Sequence, residues 1–196
     1  AGATADNYSF SYVAGDYRIV PAGSLVVTAS GAAIYGESVT YSVSGAKYMN
    51  GSSVLFTLGA PIQSGNTFTF DDGVGGETTL TLSPDSPVLS GSTNLAAGRY
   101  DLAATAVSST SNNYGAAIAV VGSHEVSQRD LTVTAAGLTK VYDGSTDMVN
   151  LSLSSNALAG DRISLSASSA YADKNVDASK PYAVSNIATS GLDAGN

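Results

Sequence analysis

Short runs of alternating apolar and polar residues restrict the fold more than any other feature of this sequence. Residues 67–70 (TFTF) and 78–82 (TTLTL) are the clearest examples. Alternation places apolar side chains on one face of a strand and hydroxyls on the other. Turn-forming residues such as those at 71–73 (DDG) separate the runs, and helical periodicity is nearly absent. The sequence therefore predicts an all-β protein made of tandem immunoglobulin-like antiparallel β-sandwiches.

An internal repeat indicates how these sandwiches are arranged. Residues 25–31 (LVVTASG) recur 106 residues later as 131–137 (LTVTAAG), with five of seven positions identical. Tyr35 likewise has a counterpart in Tyr142, 107 residues further on. This spacing exceeds the roughly 20 to 50 residues of solenoid repeats and matches a whole small domain. The predicted organisation is a terminal hairpin at 1–22, a β-sandwich at 23–129 and a second β-sandwich at 130–196 that lacks its last hairpin.

The terminal hairpin contains its own alternating run, in which Tyr8, Phe10, Tyr12 and Val13 are predicted to form an assembly strand. A sandwich without its last hairpin leaves an unpaired edge, and unpaired edges accept added strands. We therefore expect residues 1–22 to belong to a preceding repeat or to complete a neighbouring one. Neighbouring copies or repeats of the same protein are the predicted partners, joined head to tail by strand completion.

Composition excludes several functional classes. Eight Lys and Arg among 196 residues, with a net charge of −8, cannot form a phosphate-binding groove, so no nucleic-acid partner is expected. No run approaches 18 apolar residues, so no membrane insertion is expected. The chain has no Cys, and only 12% of its residues are charged, which leaves a surface of Ser, Thr, Asn and Gly. Such a surface is common on secreted bacterial proteins, although the lack of Cys suits a cytosolic protein equally well. The expected location is outside the cell or on a bacterial cell surface.

Four motifs follow one another in the second sandwich: residues 140–146 (KVYDGST), 159–161 (AGD), 171–176 (YADKNV) and 191–196 (GLDAGN). They resemble the YDG repeat of very large bacterial surface proteins. Residues 34–37 (IYGE) and 97–100 (AGRY) resemble the companion MBG type of bacterial immunoglobulin-like repeat. The resemblance implies filamentous-haemagglutinin-like adhesins, in which such repeats act as stalk and spacer. It implies no catalytic residues.

The expected function is that of a structural stalk or spacer repeat in a large secreted bacterial adhesin or extracellular fibre, not that of an enzyme. One alternative is a ligand-binding adhesin module that recognises a host or cell-surface glycan or protein through its sandwich loops. An exposed aromatic cluster at Tyr48, Phe68, Phe70 or Tyr171 would support this alternative. Another is a filament that assembles by exchange of residues 1–22 between free chains.

Acidic residues near the turns raise the question of a calcium site. Asp143 and Asp147 resemble the start of a calcium loop, but the glycine and the closing glutamate of such loops are missing. A β-turn with Tyr142 packed below it explains the same residues. Asp71 and Asp72 have a similar explanation as a hairpin loop. Calcium is retained as a weak hypothesis at these four residues, and no other cofactor is expected.

Two further groups of titratable residues are candidates for an acidic cluster and for a catalytic triad. Asp161, Asp173 and Asp177 are candidates for a third acidic cluster, if they converge in the second sandwich. A serine–histidine–aspartate triad would require His124, the only histidine, which the sequence places in a hairpin turn. No nucleophile elbow accompanies this histidine, so no catalytic residue is predicted.

Overall fold

The computed structural model describes residues 19–21, 23–137, 139–148 and 151–196. This part of the chain contains no helix, and 54% of the structure is strand, so the predicted all-β fold is confirmed. No helix in the described part is therefore long and apolar enough to cross a membrane. The predicted assembly strand at Tyr8, Phe10, Tyr12 and Val13 lies outside the described residues.

Thirteen strands follow one another along the described chain. They are β1 (Ser24–Ile34), β2 (Tyr41–Asn50), β3 (Ser53–Thr57), β4 (Ile62–Ser64), β5 (Thr67–Asp71), β6 (Glu77–Pro84), β7 (Gly98–Ser109), β8 (Ile118–Val121), β9 (Ser123–Ser127), β10 (Val133–Gly137), β11 (Leu151–Ser155), β12 (Ser164–Tyr171) and β13 (Tyr182–Ser190). We call β1 to β9 the first β-unit. We call β10 to β13, together with the turn at 191–196, the second β-unit.

One curled sheet in the order β3-β2-β1-β9-β7-β6-β5-β4 forms the first β-unit. Most neighbours are antiparallel, but β1 pairs in parallel with β8 through its first half and with β9 through its second half. Gly122 lies between β8 and β9 with φ +137, and a Cβ there would approach the Ala29 carbonyl oxygen to 1.7 Å. A glycine at 122 therefore allows the chain to cross β1 closely where the parallel partner changes.

Alternation along β5 and β6 produces the core of the first β-unit. Phe68 and Phe70 point inward and are fully buried, as are the leucines of β6. Each such side chain stabilises the fold by about 1.5–3 kcal/mol relative to an exposed one. The threonines on the opposite face bond across the strands, with Thr69 Oγ1 2.9 Å from Thr79 Oγ1. The two periodic runs thus build the sheet as the sequence predicts.

Two separate two-stranded sheets, β10–β11 and β12–β13, form the second β-unit. Its first strand begins at Val133, two residues into the repeat segment 131–137. Residues 172–181 join β12 to β13 at one end, and residues 191–196 follow β13 at the other end. The two ends of this unit therefore carry different motifs: YDG and YADKNV at one, AGD and GLDAGN at the other.

Candidate functional site: the joint between the two β-units

Tyr35 directly follows β1, yet it is only 2% exposed. Its hydroxyl donates a hydrogen bond to the Asp161 carboxylate of the second β-unit. Ser90 Oγ and Ser92 Oγ of the first β-unit lie 2.7 and 2.9 Å from the same hydroxyl. Burial, together with the bond to Asp161, raises the pKa of Tyr35 above its usual value. Tyr35 is therefore a neutral donor at physiological pH that ties the two β-units together.

Asp193 is a second link across this joint, and it is 5% exposed. Its Oδ2 accepts hydrogen bonds from the Arg162 N–H of its own unit at 2.7 Å and from the Gly91 N–H of the first β-unit at 3.1 Å. Hydrogen bonds to a charged acceptor are stronger than those between neutral groups. One carboxylate thus fixes two loops from different units in a single position.

Asn196 supplies a third link. Its Oδ1 accepts a hydrogen bond from the Ala97 N–H at 2.9 Å, and its backbone oxygen accepts one from the Arg129 N–H at 2.9 Å. The Gln128 side chain donates to the Gly195 carbonyl at 2.9 Å. The 191–196 turn therefore contacts both a loop of the first β-unit and the segment that connects the two units.

An apolar contact accompanies these polar links. Leu158 of the second β-unit packs against a small cluster formed by Tyr35, Tyr100 and Val126. A Cβ on Gly36, whose φ is +84, would come within 2.4 Å of Leu158 Cδ1. A side chain at position 36 would therefore be strained and would displace the leucine. Turn geometry and close packing both require glycine at this point.

The carboxylate of Asp143, a calcium candidate in the YDG motif, already forms hydrogen bonds within its own loop. Asp143 Oδ1 accepts from the Ser145 N–H at 2.9 Å and from Lys140 Nζ at 2.8 Å, and Gly144 has φ +79. Lys140 holds the pKa of Asp143 at about 2. The bond from Asp143 to its own backbone and the positive φ of Gly144 agree with the prediction, but Tyr142 does not pack below this bend, because its side chain is 61% exposed. Lys140 also donates to the backbone oxygen of Asp147, not to its carboxylate.

Asp71 ends β5 and Asp72 begins the loop to β6, close to the predicted hairpin loop. Asp72 is 2% exposed and accepts hydrogen bonds from the N–H groups of Val74 and Gly76 and from the Ser111 hydroxyl. The Ser111 bond, followed by the backbone bonds, lowers the pKa of Asp72. Asp71 accepts from the Gly73 N–H at 2.7 Å. Both carboxylates thus stabilise their own loop.

The third predicted acidic cluster does not form. Asp161 lies at the joint, whereas Asp173 lies at the opposite end of the second β-unit, where it pairs with Lys180 at 2.6 Å. The Lys180 bond is the main cause of the lowered pKa of Asp173. Over the described ranges, no group of three or more acidic or histidine side chains is arranged to hold a metal ion.

His124 is not in a turn, which corrects the sequence-based placement. It lies in β9, is completely buried, and packs edge-on against Tyr41 with 5.3 Å between ring centroids. Neither ring nitrogen has a hydrogen-bond partner, and burial lowers the pKa of His124. A histidine enclosed in this way has no access to a substrate, so it is a core residue.

The aromatic cluster considered for ligand binding is also not exposed. Phe68 and Phe70 are core residues, and Tyr48 is 2% exposed with its ring stacked 3.7 Å from that of Tyr114. Inward-facing positions of regular strands explain all three. Tyr171 is the only candidate of the four that is not buried, and it lines the cleft at the YDG end of the second β-unit.

Residues 127–196 match the family model of the YDG domain. No curated protein and no solved structure is similar enough to this chain to count as a match. The finding overturns the resemblance to YDG/MBG-type repeats of filamentous-haemagglutinin-like adhesins. The model that matches, over less than half of the chain, is that of the YDG domain and not that of the MBG repeat; SRA-YDG domains bind DNA and methylcytosine. The match therefore gives no support to an adhesin family.

The joint was missed because its residues look like ordinary turn formers. Asp193 and Asn196 lie in a short Gly-rich segment, which predicts a local turn and nothing more. Their partners Gly91 and Ala97 lie about a hundred residues earlier in the sequence. The usable signal was the order of the four motifs, since two of them supply the contacts of this joint.

Proposed function

We propose that this chain is a structural spacer whose two β-units are held in a fixed relative orientation by the joint. The observation that carries the proposal is the Asp193 carboxylate, which bonds the Gly91 and Arg162 N–H groups at once. A flexible linker would not need a buried carboxylate with partners in both units. A spacer requires this arrangement, because its length and direction depend on the angle between successive units.

The links of the joint oppose different motions. The Tyr35–Asp161, Asp193–Gly91 and Asn196–Ala97 bonds join the two units at three separate points, so rotation about any one of them breaks the other two. Each hydrogen bond alone contributes only about 0.5–1.5 kcal/mol, or more where a charge is involved. Together with the packing of Leu158, they favour one orientation. A location outside the cell and head-to-tail strand completion through residues 1–22 remain parts of this proposal.

Nuclear relaxation tests the proposal directly. If the joint is rigid, backbone ¹⁵N relaxation gives one rotational correlation time for the amides of β1–β9 and those of β10–β13. Simultaneous Asp193→Ala and Asn196→Ala substitutions should separate the two values, whereas Asp177→Ala at the far end of the second β-unit should not. Two different correlation times in the unmodified chain would contradict the spacer proposal.

A ligand-binding role is the second candidate, favoured by one feature. Tyr142 and Tyr182, both exposed, line a cleft of about 340 Å³ at the YDG end of the second β-unit. Tyrosine rings beside polar groups can stack on a sugar. Titration of oligosaccharides against the chain and its Tyr142→Ala variant, followed by nuclear magnetic resonance, tests this role. Saturable shifts in the unmodified chain that disappear in the variant would support it.

The match to the YDG domain raises the question of DNA binding. Within residues 127–196, seven Asp face five Lys and Arg, so the matched domain has no excess of positive charge. Binding to phosphates depends on such an excess and weakens steeply with salt. We propose that nucleic acid is not a partner. Salt-dependent binding of a duplex, with or without methylcytosine, in a fluorescence anisotropy assay would refute this part.

A further inference from the structure

The end of the second β-unit opposite the joint carries an exposed apolar patch. Val141, Tyr142 and Val176 are 88%, 61% and 84% exposed, and all three line the same cleft. Single exposed apolar residues are ordinary, but a contiguous group around a cleft indicates an interaction surface. We call residues 139–145 and 172–181 the YDG end.

The YDG end corresponds to the surface of the first β-unit that forms the joint. Tyr142 is the repeat counterpart of Tyr35, and each tyrosine follows the first strand of its unit. In both units the tyrosine lies beside a long loop that joins two paired strands. This loop is residues 85–97 between β6 and β7 in the first unit, and residues 172–181 between β12 and β13 in the second.

Only one of the two equivalent surfaces is covered. Tyr35 is 2% exposed because Asp161 and Leu158 of the second β-unit lie against it, whereas Tyr142 is 61% exposed. The second β-unit thus presents a covering face at one end and an uncovered receiving face at the other. Such head-to-tail contacts continue from unit to unit when they do not close into a ring.

We propose that the YDG end receives a further β-unit of the YDG type, in the way that the first β-unit receives residues 158–162 and 191–196. This inference rests on the spacer function proposed above. The occupant presents an acidic loop equivalent to Asp161 and Asp193. Three of the eight cations of the chain, Lys140, Lys174 and Lys180, line the cleft that such a loop would meet. Asp143, Asp173 and Asp177 line the same cleft and balance these lysines, so the pairing rests on the correspondence between Tyr142 and Tyr35 and not on charge.

The test uses the full chain extended by one more copy of residues 127–196, joined through a flexible Gly/Ser linker of about 30 residues, because Asn196 lies at the joint and the YDG end is at the opposite end of the second β-unit. The added copy carries Tyr142→Phe, so that only one Tyr142 remains in the molecule. Nitration by tetranitromethane, read by peptide mass spectrometry, then reports the exposure of Tyr142 and of Tyr35. We expect the nitration rate of Tyr142 to fall about tenfold on extension, because docking would bury it as Tyr35 is buried.

A matched control places Asp193→Ala and Asn196→Ala in the added copy only, and it should restore the nitration of Tyr142. Unchanged reactivity of Tyr142 in the extended chain, with Tyr35 still protected, would overturn the docking inference and leave the spacer function standing. Rapid nitration of Tyr35 in the original chain would show that the joint itself does not form. That result would refute the spacer function instead.

Discussion

Replacing Asp193 by alanine removes the charged acceptor at the centre of the joint. Two backbone donors then lose their partner, the Arg162 N–H at 2.7 Å and the Gly91 N–H at 3.1 Å. Hydrogen bonds to charged groups contribute about 1.5–3 kcal/mol each. Gly91 is exposed, so water can take over part of its bond. We therefore expect Asp193→Ala to lower the free energy of unfolding by roughly 2–4 kcal/mol.

Asparagine at the same position provides a graded comparison. Both N–H groups contact Oδ2 of Asp193, so an amide oxygen placed there keeps these two bonds. The charge is lost, together with the longer contacts that Oδ1 makes with the Gly91 N–H and the Asn196 amide. Charged hydrogen bonds are about twice as strong as neutral ones, so Asp193→Asn should cost roughly 1 kcal/mol. The exposed Asp177, whose contact is with the nearby Ser179 N–H, provides a control expected to stay within about 0.5 kcal/mol.

Urea denaturation followed by circular dichroism measures these free energies, and hydrogen exchange locates the loss. In Asp193→Ala, the amides of Gly91 and Arg162 should exchange faster, although they lie in different β-units. The reasoning would be refuted if the alanine variant matched the Asp177→Ala control and both amides kept their protection. The bonds of Asp193 would then contribute nothing in solution.

Three further outcomes are expected. Burial lowers the pKa of His124, so the unfolded chain binds a proton at this residue more readily than the folded chain. The free energy of unfolding should be constant above pH 6.5, the usual pKa of histidine, and should fall below it by up to about 1.4 kcal/mol per pH unit. Urea titrations between pH 5 and 8 should show this slope, and His124→Phe should remove it. Gly122→Ala should unfold the chain or lower its melting temperature sharply, because the new Cβ would collide with the Ala29 carbonyl oxygen. Gly45→Ala is the control: a Cβ at this position meets no other atom, so this variant should melt like the unmodified chain. Removal of residues 1–22 should abolish concentration-dependent assembly in sedimentation experiments, if these residues complete a neighbouring unit; equal masses with and without them would exclude strand completion.

Local pattern predicted the strands well where one face is buried. Phe68 and Phe70 alternate with threonines, and the structure places them inside β5 as expected. The parallel pairing of β1 with β8 and β9 was not predictable, because it depends on contacts about ninety residues apart. Alternation specifies which face is buried but not which strand lies alongside.

His124 and Asp193 show why the functional residues were harder to predict. A polar residue among Gly and Ser normally indicates a turn, yet the fold encloses His124 between β1 and the neighbouring strands. Asp193 resembles any turn aspartate until the first β-unit is placed against it. Both roles depend on tertiary packing, which overrides local preference.

The central claim is that the two β-units keep one relative orientation, and a distance between them tests it most directly. Because the chain has no Cys, Val54→Cys in β3 and Ser185→Cys in β13 introduce two unique, exposed sites for spin labels. Double electron–electron resonance should give one narrow distance distribution, which broadens when Asp193 and Asn196 are replaced by alanine. A broad distribution in the otherwise unmodified chain, or a narrow one unaffected by both alanines, would contradict the account.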